Sequence, residues 1–450
     1  MKKNIFIGWL LVVGLLLGGV NFLAQGKTIL IKKATIVPVV GPKIVGGDLL
    51  IEKGQIVKLG RNLKAPEGAI IIEAEGDYVY PGLISSFTAI GVTGYPGAGN
   101  DLNEVGISTP QMDPYEAINP EDDCIAVTRL GGITTVLTIS GTQNIICGQA
   151  VVLNLYGDFP CEMLVKRRAA MIFNIGAKQQ NRYPSTIPGV MAFLRDKFEK
   201  VKLYQARKKE TSKSSGKVKA RTSKSSRQVS STGPGFDRGF SLNLEYEALI
   251  PVLEGQIPAL FIANDEVTLR NSLRLIKEYH LKGIIYSRKG VRKFLPHLAQ
   301  EKIPLIWAGT MTIPDRWQAY DYNYRMAAEI ARQGILFAFE QAGWGPGSRN
   351  VRNLPVPAAM SVAHGLSEEE ALRAMTIYPA KILGIDDKLG SLEPGKKANV
   401  VIWTGSPIQL TSRVKTLIIK GEIVPLESVQ TRLRDRYEKI VRQRLKAKKK

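Results

Sequence analysis

The sequence predicts an α/β protein in which a parallel sheet closes into a barrel and a small β-sandwich is built from both ends of the chain. From residue 81 onward, short apolar strand segments alternate with amphipathic helical stretches, which is typical of βαβ units in a parallel sheet. Residues 28–79 and 389–423 instead alternate apolar with polar residues between Gly and Pro, which favours short strands. The later group is too small to stand alone, so we expect it to complete the earlier one.

Six segments of the predicted barrel have the composition of buried strands. They lie at 132–140, 169–176, 257–265, 282–287, 303–310 and 334–342. Amphipathic helices are predicted between several of them, at 266–281, 290–302 and 323–333. A capping box of Ser367 and Glu370 begins a further helix, and Gly384 is placed to end the next one.

These patterns divide the chain into four parts. The sandwich takes 27–80 and 385–425, and the barrel takes 81–384. Within the barrel, residues 206–235 are rich in Lys and Ser and almost free of large apolar residues, so we expect a disordered basic insertion there. Residues 426–450 form a basic C-terminal tail whose first part could be helical.

Residues 1–26 have the features of an export segment. Two lysines precede an apolar run over 5–20, and Ala24-Gln25-Gly26 provides a cleavage site with small residues. The run is long for a signal peptide, so an uncleaved anchor over 5–24 is an alternative. In both cases we expect a periplasmic or other extracytoplasmic location. The spacing of Cys124, Cys147 and Cys161 indicates no disulfide, and we expect buried apolar cysteines.

The net charge of +22 is concentrated in two segments. Residues 207–227 and 431–450 each carry a net charge of +8, so the rest of the chain is only mildly basic. An anionic membrane surface is a possible partner for these segments, and a solvated charge run is the alternative. We expect no nucleic-acid binding, because Tyr437 is the only aromatic residue within these segments.

Several stretches resemble one known family. They are "YVYPGLISSFTAIGV", "NDLNEVGISTPQMDPYEAINPEDD" followed by "RLGGITTVLT", "RYPSTIPGVMAFLRDKF" and "ALRAMTIYPAKILGIDDKLGSLEPGKKANVVIW". Over about 27–425, apart from the insertion, the chain resembles the amidohydrolase superfamily, in particular exported members related to imidazolonepropionase. The resemblance implies a TIM-like (β/α)8 metal-dependent-hydrolase barrel with a composite β-sandwich. It also implies hydrolysis of non-peptide C–N bonds, often of cyclic amides, and a possible homodimer.

The resemblance further implies zinc or another divalent metal at the C-terminal mouth of the barrel. His-x-His on the first strand, further His on middle strands and an Asp on the last strand would hold the metal and activate water. In this sequence the expected ligand positions carry other residues: Phe87 and Ala89 on the first strand, Ile262 and Ser287 on middle strands, and Ala342 or a neighbour on the last. We therefore predict a degenerate mouth without metal or other cofactor.

The histidine count supports this prediction. The chain has three His in all, whereas the usual binuclear site of the family takes four. His280, His297 and His364 all lie away from the predicted strand ends, and we expect structural roles for them.

Glu340 is a weak catalytic candidate, alone or paired with Asp265 or Glu266, although a solvated loop carboxylate is the expected fate of each. The leading hypothesis is a pseudoenzyme that binds a partner or a small molecule in the barrel mouth. One alternative is an active hydrolase with a mononuclear or metal-free site. Another is a surface protein that binds anionic membranes through its basic segments.

Overall fold

The computed structural model describes residues 27–93, 101–221, 241–341 and 345–448. The predicted export segment, residues 222–235 of the insertion and the ligand position Ala342 lie outside these ranges. Within these ranges, sixteen strands, numbered in chain order, form two sheets of eight.

The first sheet joins the two ends of the described chain. Its strands are β1 Ile29–Ile36, β2 Ile44–Glu52, β3 Gln55–Gly60, β4 Ile70–Glu73, β5 Tyr78–Pro81, β14 Val400–Trp403, β15 Val414–Ile419 and β16 Glu422–Val424. The order is β16-β15-β14-β5-β1-β2-β3, with β4 also paired to β1. Strand β14 runs antiparallel to β5, with Val400 opposite Pro81. The prediction that the late strands complete the early sheet is confirmed.

The second sheet is the barrel. Its strands are β6 Leu83–Thr88, β7 Ile133–Ile139, β8 Ile146–Asn154, β9 Leu164–Asn174, β10 Ala259–Ile262, β11 Gly283–Ser287, β12 Leu305–Trp307 and β13 Phe337–Phe339. Each strand pairs with the next along the chain, from β6 to β13. The barrel is nearly closed, because β6 and β13 approach each other at a seam where the two strands form no ladder. The predicted barrel is therefore confirmed.

One barrel strand departs from the all-parallel pattern. Strand β8 is antiparallel to both β7 and β9. Only residues 140–145 connect β7 to β8, which is too short for the crossover that a parallel pair requires. The sequence patterns did not predict β8, since no helical stretch separates it from β7.

The helices cover the barrel and connect it to the first sheet. They are α1 Asp123–Arg129, α2 Pro160–Met163, α3 Ile187–Arg221, α4 Leu244–Leu253, α5 Glu266–Glu278, α6 Leu295–Gln300, α7 Tyr322–Arg332, α8 Pro355–Val362, α9 Glu368–Arg373, α10 Ile377–Leu383 and α11 Val429–Lys448, with 3-10 turns at Pro114–Ala117, Arg292–Phe294 and Gly345–Asn353. Ser367 caps α9 by accepting a hydrogen bond from the Glu370 N–H. Gly384 ends α10 in the left-handed conformation, as predicted.

The structure differs from the disorder that we expected over 206–235, because α3 continues through Arg221. The first half of α3 is anchored by buried residues such as Leu194 and Phe198, and an ion pair joins Lys208 to Glu247 of α4. The later part of α3 mixes Lys, Arg and Ala, which have high helix propensity, with Ser and Gly, which do not, so it continues a helix that packing of the first half has nucleated. Within the described residues, no helix is both long enough and apolar enough to cross a bilayer.

Candidate functional site: the barrel mouth

The barrel mouth is the end of the barrel at which the parallel strands finish. Inward-facing side chains fill the lumen beneath it, and each is at most 3% exposed: Ile84, Phe87, Leu137, Ile139, Ile172, Leu260, Ile262, Ile284, Tyr286, Ile306 and Ala338. Alternate residues of the same strands, such as Phe261 and Phe339, belong to the larger core that contains the surrounding helices. This alternation follows from the period-2 geometry of strands.

Phe87 lies near the end of β6, at the first expected ligand position. Its ring is 3% exposed and stacks on the ring of Tyr286 from β11, with centroids 4.1 Å apart and planes inclined by 26°. Offset stacking of this kind adds to the stabilisation from burying two large rings. An aromatic pair therefore occupies the region where the family resemblance implies a metal.

The other ligand positions within the described residues also lie at the mouth. Ala89 directly follows β6, and Ile262 and Ser287 end β10 and β11, with all three buried. Ala89 and Ile262 have no side-chain atom that can bind a metal. The Ser287 hydroxyl donates a hydrogen bond to the Lys289 carbonyl at 2.8 Å. Phe87 and Ile262 belong to the lumen cluster, whereas Ala89 packs into the larger core, and none of the four described positions carries an imidazole or a carboxylate.

Glu340 is the one carboxylate directed into this region among the positions that we predicted. It follows β13 and is 1% exposed. One of its oxygens accepts hydrogen bonds from the Ser86 and Phe87 N–H groups, both at 2.8 Å. The Ser85 hydroxyl donates to both oxygens at 2.8 and 3.0 Å, and the Gln341 N–H donates to the other oxygen at 2.8 Å.

These contacts give Glu340 a structural position at the seam of the barrel. Its side chain links β13 to three consecutive residues of β6, where strand-to-strand hydrogen bonds are missing. The expectation of a solvated loop carboxylate was wrong for this residue. Asp265 instead caps α5, and Glu266 pairs with Lys293 at 2.6 Å, so neither forms a pair with Glu340.

Two further ionisable groups lie in the lumen cluster. Burial, and secondarily the negative charge of Glu340, raises the pKa of the Tyr286 hydroxyl well above its usual value. Burial likewise raises the pKa of the Cys147 thiol, which donates a hydrogen bond to the Asn144 carbonyl. Both groups stay protonated at neutral pH, and a thiol in this state is a poor nucleophile and metal ligand.

The three histidines lie elsewhere. His280 and His297 line a cavity of about 620 Å³ beside the beginnings of β11 and β12, at the opposite end of the barrel. His364 follows α8, with its Nδ1 2.7 Å from the Met360 carbonyl and its ring 4.9 Å from that of Tyr324. The prediction that no histidine falls at a strand end is confirmed.

The described residues do not fit the metal that the resemblance implies. Asp122, Asp123 and Cys124 form the only cluster of three potential metal ligands in the described ranges, and they lie at the beginning of α1. Asp122 already accepts hydrogen bonds from the N–H groups of Gly91 and Cys124, at 2.6 and 2.8 Å. Its role is that of a helix cap.

A cavity of about 470 Å³ lies beside the ends of β10, β11 and β12. Its lining combines apolar and cationic groups: Asn264, Arg288, Lys289, Met311, Thr312 and Ile313. Lys289 forms an ion pair with Asp315 at 3.1 Å, whereas Arg288 has no carboxylate partner among the described residues. The Arg288 N–H donates to the Asn264 side-chain oxygen, which fixes the two loops relative to each other.

Comparison with known proteins agrees with this architecture. The "Amidohydrolase family" profile matches residues 346–424. The structure of an amidohydrolase from Thermotoga maritima superposes with a TM-score of 0.75 and 28% identity, covering 88% of this chain and 99% of that one. The chain belongs to the amidohydrolase superfamily.

Two curated relatives match over different lengths. The amidohydrolase tasK of Hapsidospora irregularis is 26% identical over 398 residues, which are 80% of this chain and 38% of that protein. An imidazolonepropionase of Shewanella frigidimarina is 40% identical over 67 residues, 14% of this chain and 16% of that enzyme. The chain therefore aligns with less than half the length of either curated relative.

The sequence patterns predict the position of the mouth but not the side chains that fill it, because they assign no role to Ser85 or Tyr286 and do not indicate the cavity beside Arg288. One signal was available, because Ser85 and Ser86 are polar residues between the apolar residues Ile84 and Phe87 and therefore require a buried partner. Glu340, directly after the last barrel strand, is that partner for the Ser85 hydroxyl. The prediction of buried cysteines is confirmed for Cys124 and Cys147 but is wrong for Cys161, which is exposed.

Proposed function

We propose that this chain is an amidohydrolase-superfamily protein without metal-dependent hydrolysis, and that it acts as a binding or structural protein. The observation that carries the proposal is the buried stack of Phe87 on Tyr286 at the first ligand position. A catalytic metal of this type needs several firm protein ligands and an open position for water. In the part of the mouth that the structure describes, apolar side chains fill the space and offer neither.

The engagement of Glu340 supports the same proposal. A general base must reach the proton that it removes, directly or through one water molecule. The Glu340 oxygens instead face four donors from β6 and from the adjacent Gln341, and the residue is 1% exposed. This arrangement favours a structural role over a catalytic one.

The cavity beside Arg288 suggests the class of ligand. A guanidinium without a carboxylate partner favours an anionic group, and the neighbouring Met311 and Ile313 favour an apolar portion. We therefore propose a small organic anion, such as an aliphatic or aromatic carboxylate, as the ligand at the mouth.

Hydrolysis assays of the full chain test the loss of catalysis. A panel of cyclic amides is incubated with the protein and added zinc or manganese, and Glu340→Gln is assayed alongside. We expect no turnover above a protein-free control in either sample. Turnover that Glu340→Gln abolishes while the variant remains folded by circular dichroism would overturn the proposal and favour an atypical active site.

Calorimetric titration with benzoate and hexanoate tests the ligand class. We expect binding to the full chain that weakens at least about tenfold in Arg288→Ala, since a charge-assisted hydrogen bond contributes roughly 1.5–3 kcal/mol. The exposed Arg270→Ala serves as a control that removes the same charge from a position that does not line this cavity. Equal weakening in both variants would indicate a general charge effect and contradict a site at Arg288.

A further inference from the structure

Helix α11 has a broad apolar face that the protein leaves uncovered. Five large apolar residues follow one another at intervals of four, and each is 42–58% exposed: Val429, Leu433, Tyr437, Val441 and Leu445. Successive members are rotated by about 40° around a helix of 3.6 residues per turn, so the face is about 160° wide. It is about 25 Å long at 1.5 Å per residue. We call it the α11 stripe.

The opposite face of α11 is strongly basic. The helix contains eight Lys and Arg against Asp435 and Glu438. On a helical projection, five of these basic residues lie on the side away from the α11 stripe: Arg432, Arg436, Lys439, Arg442 and Lys446.

Most of this charge is not compensated by nearby carboxylates. Arg434 pairs with Asp435, Arg442 pairs with Glu438, and Arg432 pairs with Glu427 just before the helix. Arg436, Lys439 and Lys446 have no carboxylate partner in the described part of the chain. The helix therefore presents a large apolar surface together with an excess of positive charge.

This combination fits a lipid surface better than a second copy of the helix. A coiled-coil seam is a narrow stripe of positions spaced three and four residues apart, whereas the α11 stripe drifts steadily around the helix. Arg434 and Arg444 project within the sector of the α11 stripe and would be buried in a helix pair, but at a membrane their long side chains can extend to the headgroups. Tyr437 is a residue type enriched at membrane interfaces.

We infer that α11 lies along the surface of an anionic phospholipid bilayer, with the α11 stripe in the acyl-chain boundary and the basic residues among the headgroups. The complementary charges identify the lipid as anionic, because each basic residue near such a surface strengthens binding about fivefold. This inference goes beyond the proposed function, and it stands whether or not the barrel mouth is catalytic.

A fluorescent probe on the helix tests the inference in the full chain. Val441→Cys places a thiol within the α11 stripe, and Gln443→Cys places one on the opposite side. Both are made with Cys161→Ser, because Cys161 is exposed whereas Cys124 and Cys147 are buried. An environment-sensitive dye on either thiol reports its own surroundings, so membrane binding by another part of the chain does not produce the signal.

We expect a blue shift at position 441, and a smaller one at 443, with vesicles of phosphatidylcholine and phosphatidylglycerol in equal parts. Phosphatidylcholine vesicles should give little shift. Lys439→Gln with Lys446→Gln should weaken binding about 25-fold, as two losses of about fivefold. Lys53→Gln with Lys64→Gln removes the same charge from the first sheet and should have little effect.

Two results would overturn the inference. A shift at position 441 that depends on protein concentration and not on vesicles would indicate a second copy of the chain as the occupant. Identical spectra with and without anionic vesicles would show that the α11 stripe does not enter a bilayer. In both cases the proposal for the barrel mouth would be unaffected, because it is tested by hydrolysis and metal content.

Discussion

The return segment, residues 346–424, and the barrel mouth differ in how closely their residues resemble those of the amidohydrolase family. The return segment matches the family profile and carries the chain from the barrel back to the first sheet. At the mouth, the positions where the family resemblance implies metal ligands carry Phe87, Ala89, Ile262 and Ser287. The contacts that make this fold are thus separate from those that would make a metal site.

Packing explains the difference. In the return segment, Gly390 has a φ of +96°, and an added Cβ would lie 2.7 Å from the Ala380 Cβ. Substitutions there disturb the fold directly. At the mouth, an apolar residue can take the place of a metal-binding side chain if the lumen remains filled. The Phe87 ring, stacked on Tyr286, fills it.

The largest expected effect is at Phe87. Phe87→Ala should lower the free energy of unfolding by about 3–5 kcal/mol, because it leaves a cavity under the mouth. Phe159→Ala, at a position that is 64% exposed, is the matched control and should stay within about 0.5 kcal/mol. Urea unfolding followed by circular dichroism measures both. A loss below about 1 kcal/mol for Phe87→Ala would show that the mouth is not packed as a core.

Glu340→Gln should lower the free energy of unfolding by about 2–3 kcal/mol, since the amide nitrogen of Gln would face backbone donors of β6. Ser85→Ala removes a single donor and should cost about half as much. Thermal unfolding of the two variants compares them. Unchanged stability of Glu340→Gln would contradict the seam role and return Glu340 to the catalytic candidates.

The return segment is tested at two glycines. Gly390→Ala should lower the free energy of unfolding by about 2–3 kcal/mol. The variant would have both the backbone strain of a left-handed residue and a steric clash with Ala380. Gly395 has a φ of +88° with nothing within 4 Å of an added Cβ, so Gly395→Ala isolates the strain and should cost about 1–2 kcal/mol. Chemical denaturation gives both values. Equal losses of stability in the two variants would show that the contact with Ala380 adds nothing to the backbone strain at Gly390.

The smallest effect is a pH dependence at Glu393. The Lys396 ammonium, and then the Ser391 hydroxyl, holds the pKa of Glu393 below its ordinary value of 4.5. The resulting stability is present above the ordinary pKa and is lost as pH falls through the folded-state pKa. Glu393→Gln should remove this term, which is less than about 1 kcal/mol because the carboxylate is 40% exposed. The free energies of unfolding at pH 7 and pH 3 should therefore differ less in the variant than in the parent protein.

Much of the fold could be predicted because its signals are local. Apolar runs identified β7, β10 and β11, and turn residues such as Gly384 marked the ends of helices. Strand β8 could not be predicted because its direction depends on a short connection and not on its own composition. The length of α3 could not be predicted because the packed first half supports the helical conformation of a polar second half.

The position of the candidate site could be predicted from the sequence, but the contacts between its side chains could not. The order of residues along β6 places Phe87 at the mouth, but it does not show that Tyr286 lies against its ring. Glu340 and Ser85 are separated by 255 positions along the chain, so their hydrogen bond depends on the closure of the barrel. The α11 stripe can be traced in the sequence, but only the folded structure shows that nothing within the described residues covers it.

The metal content of the purified full chain distinguishes a filled mouth from a metal-binding one. Elemental mass spectrometry counts zinc, iron, nickel and manganese per chain after purification without chelators. The filled, ligand-poor mouth predicts less than about a tenth of an equivalent of any of these metals. About one equivalent that survives dialysis would contradict the account, and Glu340 would be the first residue to substitute in locating the metal.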